Sequence, residues 1–152
     1  MGVMGVVADN MKLGLYTVFF SGDESILAYT KGKSIYLNER IGEEIEVVNK
    51  HEVLHHYENS ECFKKIKFQF LNSLSEDELG QLRNEYMLKY YGLYSKEEVE
   101  KGIIDTEIAI DLIIGNSSIK FDPDDIFNNA YDKIISSSRI NKIDKRYNSL
   151  KR

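Results

Sequence analysis

Apolar residues recur along this chain with two different periods, and the change between them divides it. Residues 15–20, 26–30 and 34–37 are short runs rich in aromatic and β-branched side chains, the composition of strands. Ser21-Gly22-Asp23-Glu24 and Lys31-Gly32-Lys33 separate them with turn-forming residues at hairpin-like lengths. A small antiparallel sheet of about three strands is therefore predicted. The residues before it are punctuated by glycine and weakly patterned, and they support at most a short helix or strand.

From residue 42 onward the period is helical. Ile41, Ile45 and Val48 recur on one side of a helix expected over 42–57, which continues to His55 and ends at Asn59-Ser60. A second helix over 61–74 carries Phe63, Ile66, Phe70 and Leu74 on one face. Ser75-Glu76-Asp77-Glu78 has the Ser-x-x-Glu pattern of a capping box and opens a third helix to about Tyr91, with Gly92 as its stop. Ser95 and Glu98 repeat the pattern for a short helix closed by Gly102. An acid-bearing helix over 103–114 follows, ended by Gly115-Asn116. Asp122-Pro123 places an N-cap before a proline at the first helical position. The last helix would bury Ile126, Phe127, Ala130, Tyr131, Ile134 and Ile135 and break at Ser136-Ser137-Ser138. The fold class expected is α+β: the sheet packs on the 42–57 helix, and the C-terminal half is mostly helical.

Composition narrows the function classes. At 152 residues, 42% hydrophobic and 30% charged, the chain can bury a core without disulfides. No apolar run approaches the roughly 18 to 20 residues that cross a bilayer. The N-terminus lacks the basic region of a signal peptide, and Val6 stands where an acylation motif needs Ser or Thr. A cytoplasmic protein without membrane association is the expectation. From Arg139 to Arg152 six basic residues face Asp144 alone, a net +5, so with −5 overall the preceding residues carry −10. An acidic body argues against direct nucleic-acid binding except through the basic tail, residues 139–152.

Against this background the histidines stand out. All three, His51, His55 and His56, fall within six residues, and His51-Glu52-Val53-Leu54-His55 is an H-E-x-x-H sequence on the 42–57 helix. Side chains four apart share a helix face, so the imidazoles of His51 and His55 can hold one metal ion. Glu52 then serves as the base for an activated water. The single cysteine, Cys62, excludes a Cys-rich metal cluster and reads as a small hydrophobe, and His56 points about 100° away from His55. Zinc is the expected cofactor, and its catalytic sites hold three protein ligands. In a thermolysin-like arrangement the third is a Glu on a later helix. Glu107 is the best candidate, with Asp105, Glu98 and Glu100 as rivals. Asp111, one turn after Glu107, would accept the far ring N–H of a ligand histidine and so fix its tautomer. Among Tyr86, Tyr90, Tyr91 and Tyr94 one hydroxyl could stabilise an oxyanion, and the sequence does not choose among them.

His51-Glu52-x-x-His55 followed by Glu107-x-x-x-Asp111, with Ile35-Tyr36-Leu37-Asn38 just before the motif helix, resembles the ImmA/IrrE-like metallopeptidases of bacteria and their mobile elements. The resemblance covers roughly residues 25–115. It implies a single zincin-like domain, here residues 1–138, with metal binding at His51, His55 and Glu107 and Glu52 as general base. It also implies a protein or peptide substrate such as a DNA-binding repressor. The stretch between Glu61 and Gly102 is longer and more helical than that family's. An alternative is a catalytically idle zincin-like module that holds a partner protein.

Overall fold

The computed structural model describes residues 2–22, 25–100, 102–121 and 129–137. Its contacts divide the chain into two compact units, Met1–Tyr57 with Ile135–Arg152 and Glu58–Ile134. The fold is mixed α+β, with one three-stranded sheet and a helical C-terminal half.

In the first unit, helix α1 (Val3–Lys12) precedes strands β1 (Tyr16–Phe20), β2 (Ala28–Lys31) and β3 (Ser34–Asn38). A 3-10 turn, Gly42–Glu44, then leads into α2 (Ile45–Tyr57). The weakly patterned N-terminus is thus a helix, and Val6 and Asn10 are its buried residues. The sheet has three strands as expected, but it is mixed where an antiparallel one was predicted: the order is β1-β3-β2, and β1 runs parallel to β3. Only β2 and β3 form a hairpin, across Gly32-Lys33 with Gly32 at φ +59°.

The physical reason lies in β3. Ile35 and Leu37 are fully buried, and each such side chain contributes about 1.5–3 kcal/mol when removed from water. Placing β3 in the centre gives it a neighbour on both sides. The connection from Phe20 to Ser34, which contains β2, is long enough for the crossover of a dozen or more residues that parallel pairing needs. A tight β1–β2 hairpin is what the turn-forming residues at 21–24 suggested, and the link between those strands is longer than that.

Helix α2 packs against β2, β3 and α1. Its buried stripe is Ile45, Asn49, Glu52, Val53 and Tyr57, with Leu54 beside it. Of the face expected from Ile41, Ile45 and Val48, Ile45 is buried, while Val48 and Ile41, which precedes the helix, are half-buried. The amides of Asn10 and Asn49 pair reciprocally inside this unit: Asn10 Nδ2 donates to Asn49 Oδ1 at 2.8 Å, and Asn49 Nδ2 donates to Asn10 Oδ1 at 2.9 Å. Asn10 Nδ2 also donates to Thr17 Oγ1 at 2.9 Å. One buried polar pair thereby locks α1, α2 and β1 together in a single register.

The second unit holds α3 (Glu61–Asn72), α4 (Glu76–Lys89), α5 (Lys96–Glu100) and α6 (Ile103–Ile113). Helix α3 starts at Ser60, whose hydroxyl accepts from the Phe63 N–H, and buries Phe63, Ile66 and Phe70. Both bonds of the Ser75–Glu78 capping box are present at the start of α4. Gly102, at φ +86°, takes the left-handed conformation that lets the chain leave α5 and enter α6 at once. Helix α6 packs against α3, α4 and α5, and its buried residues include Ile104, Ile108, Ala109, Ile110 and Leu112, together with Glu107 and Asp111. Residues 130–137 are helical, with Ala130 and Ile134 buried as expected, and the helix continues through Ser136 and Ser137 where a break was predicted. Asp122, Pro123, Ile126, Phe127 and the basic tail lie outside the described residues.

Candidate metal centre

The H-E-x-x-H motif lies wholly on α2, where the Asn10–Asn49 pair and the buried Val53 and Leu54 set the rotation of the helix. That rotation leaves His51 and His55 half-buried on the flank of the packed stripe and turns Glu52 inward, at 8% exposure. The Nε2 atoms of the two histidines are 3.3 Å apart, and their ring centroids are 5.0 Å apart at 60°. Two nitrogens bound to one tetrahedral zinc at about 2.0–2.1 Å are about 3.3–3.4 Å from each other. The imidazole pair therefore already has the spacing of two ligands on a shared ion. A direct ring-to-ring hydrogen bond would also fit the distance if one ring carried hydrogen on Nε2 and the other did not.

The acids of the second unit separate by what each one holds. Glu107 is 1% exposed, and each of its oxygens accepts a phenol: Tyr94 donates to Oε1 at 2.9 Å and Tyr90 to Oε2 at 3.0 Å. Asp111, also 1% exposed, accepts from the Tyr86 hydroxyl. The rivals for third ligand are engaged elsewhere or solvated. Asp105 receives the Arg83 guanidinium on both oxygens at 2.9 Å, Glu98 closes the capping box on Ser95, and Glu100 is exposed. The hydrogen bond to Asp105 is the main cause that raises the pKa of Arg83.

The tyrosines are the residues that sequence reasoning left unassigned. Tyr86, Tyr90 and Tyr94 recur at intervals of four, and this spacing was the available signal. Tyr91, outside that interval, is 87% exposed. Burial raises the Tyr86 phenol above the usual tyrosine range, and its hydrogen bond to Asp111 and the charge of Asp111 raise it further. Tyr90 is raised likewise, by burial first and then by the charges of Glu107 and Asp111. Both phenols stay protonated at neutral pH and act as fixed donors. A carboxylate offers about four lone-pair sites, so Glu107 is oriented by two phenols and keeps acceptor capacity for a cation.

Among the described residues, His51, His55 and Glu107 are a group that could hold a metal ion. The donor set fits zinc, which takes imidazole nitrogen and carboxylate oxygen readily. His56, half-buried, is not part of the group. Cys62 is also half-buried, and its thiol lies 3.8 Å from the Lys133 carbonyl oxygen. No helix among the described residues is long and apolar enough to cross a membrane. Comparison with protein-family models, curated proteins and solved structures finds no match to this chain.

Proposed function

We propose that this chain is a zinc-dependent peptidase in which His51, His55 and Glu107 hold the metal and Glu52 is the general base. The observation that carries this assignment is the 3.3 Å span between the imidazole Nε2 atoms, the separation of two ligands on one tetrahedral ion. The buried, doubly hydrogen-bonded Glu107 supports it as the third donor. A peptide bond as the target, and a repressor-like regulatory protein as the natural substrate, rest on the resemblance to the ImmA/IrrE-like metallopeptidases.

Zinc held by this set supplies a Lewis acid that activates a water toward ionisation near neutral pH and polarises a carbonyl. Everything else is done by the chain's own residues. The Glu52 carboxylate takes a proton from the attacking water and delivers it to the departing amine nitrogen. Its low exposure limits competing hydration of that carboxylate. Tyr90 and Tyr94 hold the Glu107 carboxylate in one orientation, so that little reorganisation is needed.

The test combines metal analysis with cleavage of a degenerate peptide library. Wild-type protein reconstituted with zinc is expected to retain one equivalent after desalting, and His51→Ala and Glu107→Gln are expected to lose it. Glu52→Gln should keep the metal while turnover falls by a factor of about 10² to 10⁴, the usual contribution of a positioned base. A wild-type protein that retains no zinc, or a Glu52→Gln variant that cleaves at the wild-type rate, overturns the assignment.

A further inference from the structure

The sheet of the first unit has two edge strands, β1 and β2, and they are built differently. Strand β2 ends on Lys31, with Lys33 two residues on, and lysine on an edge strand deters a further strand from pairing there. Strand β1, Tyr-Thr-Val-Phe-Phe, carries no such charge. The whole stretch from Leu13 to Gly22 holds neither a charged residue nor a proline, in a chain that is 30% charged. Among the described residues β1 pairs with β3 alone, and its outer side chains Tyr16 and Val18 are 70% and 37% exposed. Helix α2 packs on β2 and β3, so the β1 edge is the one away from the motif helix.

The ladder shows which backbone groups β1 has left over. Tyr16 donates its N–H to the Lys33 carbonyl at 2.9 Å, and the Phe20 carbonyl accepts from the Glu39 N–H at 2.9 Å. Bonding to one neighbour alternates along a strand. Tyr16, Val18 and Phe20 therefore turn their backbone groups toward β3, and the N–H and C=O of Thr17 and Phe19 face the open edge. Those four groups are symmetric about Val18. In an antiparallel pairing of β1 with its own copy, about a two-fold axis through Val18, Thr17 faces Phe19 of the second copy and the pair exchanges both hydrogen bonds. Val18 then meets Val18, and Tyr16 lies opposite Phe20, in the closer rows where aromatic side chains gain from each other. All four outward groups of each copy are satisfied without any shift of register.

We propose that β1 is a self-association edge, through which two copies of this chain join their sheets into one of six strands. The occupant is a second copy because the strand that matches this edge in register, length and lack of charge is β1 itself. Elsewhere the two copies repel, since the residues before Arg139 carry a net −10. Symmetric pairing uses up both β1 edges, and the lysines of β2 discourage further addition, so the assembly closes as a pair and does not grow into a fibre. The inference is independent of the metal assignment.

Sedimentation equilibrium of the full-length protein, from micromolar to near-millimolar concentration, should show monomer and dimer with no larger species. Val18→Lys sets two like charges against each other across the axis and should raise the dimer dissociation constant about 100-fold or more. Val18→Glu should do the same by itself. Mixed in equal amounts, the two variants should associate again, because a register that places residue 18 against itself pairs their opposite charges. Tyr29→Lys, on the same face of the sheet but on β2, is the control and should dimerise as wild type does. Val18→Cys combined with Cys62→Ser, a mild change, should form an intermolecular disulfide on gentle oxidation, since facing residues in such a row have Cα atoms about 4.5 Å apart, within disulfide reach. A wild-type protein that stays monomeric throughout the range overturns the proposal and leaves the edge to water or to a strand of another protein. A dimer that Val18→Lys leaves intact, a Val18→Cys protein that stays reduced, or growth beyond a pair overturns it equally.

Discussion

Replacing Tyr94 by Phe removes one hydroxyl and leaves the ring, so it isolates the bond to Glu107 from the packing around it. The carboxylate is 1% exposed, and the bond lost, at 2.9 Å, has ordinary O–H···O length. Hydrogen bonds to charged groups contribute about 1.5–3 kcal/mol, and the buried acceptor finds no water to replace the donor. Tyr90→Phe removes the bond to the other oxygen, at 3.0 Å, and should cost a similar amount. With a urea m-value of about 2 kcal/mol/M for a small protein, each variant should lower the unfolding midpoint by about 1 M. The double variant should lose less than the sum, because both phenols act on the same carboxylate. A non-additivity of about 1 kcal/mol or more is expected for groups acting on one acceptor. Tyr91→Phe, at a site 87% exposed, is the control and should stay within about 0.5 kcal/mol of wild type. Midpoints from urea titrations in chelator, repeated with saturating zinc, measure all of this. Loss of the orienting phenol should also weaken zinc about 10- to 100-fold. Zinc at about 1,000 times its Kd stabilises the wild type by about 4 kcal/mol, and that gain should shrink in Tyr94→Phe. If Tyr94→Phe unfolds at the wild-type midpoint, or if zinc stabilises Glu107→Gln as strongly as wild type, the carboxylate is not held and used as described.

Two further outcomes follow from the geometry. Tyr86 is raised above its unfolded value of 10.0 by burial and then by Asp111, so above about pH 10 the unfolded chain loses a proton that the folded one keeps. Its stabilising contribution is complete below that pH and is lost as pH rises toward the folded value, at up to about 1.4 kcal/mol per pH unit. Urea midpoints from pH 9 to 11 should therefore fall more steeply in wild type than in Tyr86→Phe, and equal slopes would refute the linkage. Asn49→Ala deprives the buried Asn10 amide of its reciprocal partner and should cost about 2–3 kcal/mol. The Asn10→Ala/Asn49→Ala pair should cost distinctly less than the sum of the two single changes in a thermodynamic cycle, and strict additivity would mean the amides do not act as a unit.

The parts of this fold that were legible in the sequence are those fixed by near neighbours. The Ser75–Glu78 box closes between residues three apart, the Gly102 stop needs only its own dihedral, and the motif turn of α2 spans five residues. Each of these signals is complete within one or two turns of chain. The sheet order is not, because the parallel pairing of β1 with β3 depends on which strand carries the fully buried Ile35 and Leu37 and on a crossover whose ends are far apart in sequence. The Asn10–Asn49 pair joins residues 39 apart, and Asn10 lies in a stretch where no period announces a helix. Two ordinary polar residues gain their meaning there only when packing removes both from water.

The acid half of the candidate metal centre shows why a proposed third ligand is harder to read than the first two. Imidazoles at i and i+4 are brought together by the helix that encodes them, whereas a carboxylate from elsewhere must be chosen among several of equal chemistry. Glu98, Glu100, Asp105 and Glu107 differ little as sequence, and what distinguishes them is prior engagement. Glu98 is bound to a cap and Asp105 to the Arg83 fork, Glu100 faces water, and Glu107 is buried with a phenol on each oxygen. Burying a carboxylate among neutral donors costs free energy that a solvated glutamate does not incur, and a second carboxylate one turn away at Asp111 adds repulsion to that cost. A divalent cation bound to Glu107 would offset both terms. The tyrosine interval of four, which the sequence displays without explaining, is how the fold sets a phenol on each oxygen of that carboxylate.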